Sequence, residues 1–142
     1  MENLKIYLWA VNTSNQIKPI VFSIIVGVIG SLVLVGFFTS LMSLDTIDKF
    51  LPYILGFNAA LTGYNLVKKS DNTLQFIRIY AISSGAMMVI IAAVILNMVM
   101  LHLMGSTFIH LPDAIFLIII GGVLGGLGAI LAIKYLNMNH FT

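Results

Sequence analysis

Apolar residues run almost unbroken through four stretches of the chain, at about 19–42, 50–67, 79–104 and 114–136, with short polar breaks between them. A helical crossing of the bilayer's hydrocarbon core consumes about 20 apolar residues, so each stretch predicts a transmembrane α-helix. The expected architecture is an all-α integral membrane protein, a four-transmembrane-helix bundle forming one domain over residues 1–142. No fixed-period repeat, low-complexity tract or linker marks off a second domain.

Residues 1–18 carry a different pattern. Leu4, Tyr7, Leu8 and Val11 recur at helical spacing, with Trp9 beside them and Lys5 opposite. This predicts a short interfacial helix, because Trp concentrates where headgroups meet hydrocarbon and an amphipathic segment can lie in that plane. Pro19 is expected to open the first span, where its missing N–H costs nothing, and Pro52 to sit in the first turn of the second. The breaks are expected at Ser43–Lys49, Ser70–Gln75 and Gly105–Thr107, the last followed by Leu111-Pro112-Asp113. The run from Pro19 to Met42 is too long for the core of a signal peptide and reads as an uncleaved span. Glu2 stands where myristoylation needs glycine, and there is no C-terminal cysteine to prenylate.

Composition agrees with the pattern: 60% of residues are apolar and 8% charged, against about 25% charged in soluble domains. The net charge of +2 and the scatter of Lys and Arg argue against a nucleic-acid-binding patch. Cysteine is absent, which removes disulfides, thiolate ligands and thiol nucleophiles together. Basic residues instead give the orientation. In a four-span arrangement Lys5, Lys18, Lys68, Lys69, Arg78 and Lys134 share one side, and only Lys49 lies on the other. Short loops rich in Lys and Arg stay cytoplasmic, so a multi-pass protein of the plasma membrane with both termini inside is expected.

Small residues predict how the helices meet. Lipid tails are as apolar as leucine, so membrane helices associate through close packing and hydrogen bonds, and small residues every fourth position let backbones approach. Ser23, Gly27 and Ser31 form such a row in the first span; Gly56 with Ala60 and Ala59 with Gly63 do so in the second. In the fourth span Gly121, Gly125 and Ala129 form a row, with Gly122 and Gly126 beside it and Gly128 and Ala132 following. These cover more than one face, which suggests two neighbours, with another protein chain as a candidate for one of them.

Asn58, Thr62 and Asn65, at i, i+4 and i+7, place a polar stripe on the second span. Such a stripe either lines a polar path or hydrogen-bonds between helices, and the second role is the one expected. Asn97 in the third span is expected to bond this stripe or a partner helix, and Ser83 and Ser84 to bond back to the preceding turn. Tyr53, Tyr80 and Tyr135 read as interfacial belt residues.

Thioether and imidazole suit copper, which makes Met98 and His102, spaced by one helical turn, a weak candidate pair. Met100, Met104, His110 and His140 complete no site with them on this spacing. A haem held by two histidines of this chain alone is not expected, because only His102 is near a span and His110 and His140 should fall on opposite sides of the membrane; a haem shared with a partner chain is the alternative left open. Proton-coupled transport needs a titratable group in the pathway, and no Asp, Glu, Lys or Arg stands at mid-membrane depth. The loops are too short to build a water-soluble active site. The functional expectation is therefore a non-catalytic accessory subunit of a larger membrane complex, without cofactor, whose partners are membrane lipids and other membrane subunits. The alternative is a small homo-oligomeric channel or transporter that uses the polar stripe.

Overall fold

The computed structural model describes residues 2–70, 77–105, 107 and 109–139, with side chains from residue 17 onward except at 45, 104 and 136–139. It is all-helical: α1 Glu2–Leu41, α2 Leu44–Lys69, α3 Ile77–Met104 and α4 Leu111–Asn139. Three segments are long and apolar enough to cross a bilayer, Ile17–Leu41 of α1, Ile77–Leu103 of α3 and Leu111–Tyr135 of α4. The second helix is long enough, at 26 residues, but more polar.

Two boundaries differ from expectation. Pro19 lies inside α1, which runs on without a break from Glu2 for 40 residues. The interfacial segment is thus the N-terminal part of the first helix and not a separate element. No Gly or Pro stands between Glu2 and Lys18 to stop a helix, and Pro19 removes only one bond of the ladder. At about 1.5 Å per residue α1 is about 60 Å long, twice the hydrocarbon thickness of about 30 Å.

Likewise, α2 begins at Leu44, not near Phe50, so Pro52 is interior to the helix and the break shrinks to Met42 and Ser43. The backbone N–H groups of Thr46 and Ile47 donate to the Ser43 carbonyl at 3.0 and 3.1 Å. What anchors this first turn is Ile47, at 0% exposure, which extends the core beyond the apolar run. At the end of α3, Gly105 adopts φ 69° while its N–H bonds the Leu101 carbonyl at 3.0 Å, the left-handed termination that favours glycine.

The helices form a rhombus. The inner pair, α2 and α3, touch each other and both outer helices, whereas α1 and α4 do not touch among the described residues. Gly27 faces Thr62, and Gly30 faces Asn58, so α1 and α2 run antiparallel. Ile120 and Leu124 pack on Gly56, and Gly128 on Ala60, so α2 and α4 run parallel.

The core has two apolar clusters. The larger includes Ile47, Leu51, Leu55, Ala59, Met88, Val89, Leu96, Ile109 and Leu117. The smaller holds Leu66, Val67, Ala81, Ala129 and Ala132. Between them lies a waist where backbones come close: a Cβ on Gly63 would run into the Gly125 carbonyl, and one on Gly128 into the Ala60 carbonyl.

Candidate functional site

The waist is where the polar stripe of α2 arrives. Asn58 is 4% exposed and Thr62 fully buried, facing the small residues Gly27 and Gly30 of α1. Their helical spacing of four lets each bond the preceding turn. Asn58 Nδ2 donates to the Ile54 carbonyl at 2.9 Å, and Thr62 Oγ1 donates to the Asn58 carbonyl at 2.8 Å. On α1, Ser23 Oγ donates to the Pro19 carbonyl at 2.5 Å and Ser31 Oγ to the Gly27 carbonyl at 2.9 Å. Ser31 also approaches Met88 Sδ at 3.7 Å.

A buried polar group without a partner costs several kcal/mol in hydrocarbon, roughly 4–8 by transfer data, so these local bonds are what permits hydroxyls and a carboxamide at this depth. Asn65, the third member of the expected stripe, is only half-buried. The structure therefore brings Asn58 and Thr62 together against α1 and leaves Asn65 outside. The hydrogen bonds of this pair stay within α2, not between helices as expected, and their contact with α1 is close packing on Gly27 and Gly30.

The glycines of α4 lie against helices of the chain itself. Gly121 and Gly125 lie against Gly85, Val89 and Ala81 of α3, while Gly122 and Gly126 lie against Ile82 of the same helix. The second neighbour is α2, through Gly125 on Gly63 and Gly128 on Ala60. Ala129 is fully buried in the smaller cluster. In the rhombus α4 needs small residues on two faces because it wedges between the inner pair.

Asn97 bonds the connection that follows its own helix. Its Nδ2 donates to the Ile109 carbonyl at 3.0 Å, and the Ile109 N–H donates to Oδ1 at 2.7 Å. The carboxamide thus reads the α3–α4 connection as one peptide reads another. Ser84 bonds back to the Ala81 carbonyl at 3.1 Å, as expected, whereas Ser83 is exposed.

Met98, at 68% exposure, and His102 both lie on the outer surface of α3. Among the described residues no group of three or more His, Asp or Glu side chains gathers where a metal could be held. Lys5, Trp9, Met104 and His140 lie outside the described side chains.

Charge is segregated along the bundle axis. Lys18, Lys68, Lys69, Arg78 and Lys134 gather at one end, since α1 and α3 begin there and α2 and α4 finish there. Lys69 Nζ stands 3.6 Å from the centroid of the Phe22 ring, a cation–π contact that ties the end of α2 to α1. At the opposite end a cleft of about 230 Å³ lies between Asp48, Leu51 and Pro52 of α2 and Ile109, Asp113 and Phe116. Sequence reasoning missed this cleft, whose one local sign is Pro52, the residue that denies the Asp48 carbonyl its helical donor. A second, open cleft of about 300 Å³ lies at the basic end, lined by Tyr64, Leu131, Lys134 and Tyr135.

No protein-family model matches the chain, and no curated protein or solved structure matches it either.

Proposed function

We propose that this chain is a four-span, non-catalytic subunit of a larger assembly in the plasma membrane, with both termini cytoplasmic. The observation that carries this reading is the destination of the polar stripe. Asn58 and Thr62 bond within their own helix and face α1, so the polar groups that a transport path would need are spent on internal packing. The outer faces of all four helices are apolar, as Ile29, Phe57, Val94 and Ile119 illustrate.

Crossing by α2 is supported by its place in the rhombus. It packs against all three apolar helices, from Ile47 at its start to Val67 near its end, and so shares their depth. Its greater polarity is turned inward, where lipid is not the solvent. An even number of spans puts both ends on one side, and the gathering of Lys and Arg at that side supports a cytoplasmic assignment.

Because the glycine rows face the chain's own helices, a partner is expected on an outer apolar face such as that of α1, with Val21, Ile25, Ile29, Val33 and Phe37. This helix touches only the inner pair and is long enough to leave the bilayer. Extraction from the native membrane in mild detergent, followed by a native gel and identification of co-migrating proteins, tests the reading. Different large subunits in one particle are expected; a particle built only of this chain would replace the proposal with a homo-oligomer.

A further inference from the structure

We draw no further inference here: the strongest candidate, the cleft at the acidic end between Asp48 and Pro52 of α2 and Asp113 and Phe116 of α4, rests on a pair of exposed carboxylates, and nothing else among the described residues points to what they would hold.

Discussion

Asn97 and Ile109 exchange two hydrogen bonds, with N···O distances of 3.0 and 2.7 Å, across twelve residues of sequence. The side chain supplies both a donor and an acceptor to one residue, so the backbone N–H and carbonyl of Ile109, which lies between helices, are both satisfied. Ile109 is then free to point inward, where it is 5% exposed, and it joins Leu51 and Leu117 in the larger cluster. Asn97 therefore fixes how the α3–α4 turn closes the acidic end of the bundle.

Asn97→Ala should destabilise the protein by up to about 2–6 kcal/mol, since two part-buried backbone groups lose their partners and a fully buried one costs about 1–3 kcal/mol. The Ile109 amide should pass from protected to fast hydrogen exchange. Unchanged exchange at Ile109 together with an unchanged unfolding midpoint in mixed micelles would refute the closing role.

Gly63 and Gly36 offer a matched pair. A Cβ at Gly63 collides with the Gly125 carbonyl, whereas one at Gly36 meets nothing within 4 Å. Gly63→Ala should therefore cost about 1–3 kcal/mol through overpacking, while Gly36→Ala should be neutral or stabilise by up to about 1 kcal/mol through helix propensity. Denaturant titration in micelles compares the two; equal responses would mean that α2 and α4 do not approach as closely as described. Gly125→Leu follows the same logic. It should unfold the bundle and not merely detach a partner.

The contrast between those two glycines also shows what could be read from sequence and what could not. The four helices, the turns and the segregation of Lys from Asp follow from local composition. Facing does not, because a membrane helix is apolar on the side that meets lipid and on the side that meets protein, which erases the periodicity that marks a soluble core. Small and polar residues are the remaining guides, and they say that something comes close without saying what. Thus the row at Gly121, Gly125 and Ala129 was legible as a contact, but its partners, α2 and α3 of the same chain, depend on the rhombic layout. Asn97 was legible as a polar group needing a partner, and its partner lay in a loop with no pattern at all. The early start of α2 was hidden for a related reason: Ile47 looks like an isolated apolar residue among Asp45, Asp48 and Lys49 until the core reaches it.

Asn58 separates the two functional readings. Its amide bonds Ile54 within α2, and Asn58→Leu removes that bond without touching a loop, at a cost of about 0.5–1.5 kcal/mol. For a packing residue, the variant should be less stable, and liposomes containing it should leak ions no differently from those containing the wild type. A change in ion flux at unchanged stability would favour the channel.

Passage of α2 through the bilayer has a direct test, because the chain has no cysteine and single introduced thiols are unambiguous. Lys49 and Lys68 stand near the two ends of α2, 19 positions apart and both exposed, a span of about 28 Å along the helix that is close to the hydrocarbon thickness. Both are charged surface positions, so Lys49→Cys and Lys68→Cys should fold normally. With a membrane-impermeant maleimide on intact cells, Lys49→Cys should label at once and Lys68→Cys only after permeabilisation. Labelling of both from the outside, or of neither, would place the two ends of α2 on one side and leave three crossings. Lys134→Cys extends the test to the whole bundle. It should follow Lys68→Cys, since α2 and α4 run parallel and finish at the same end, and labelling like Lys49→Cys would contradict that shared direction.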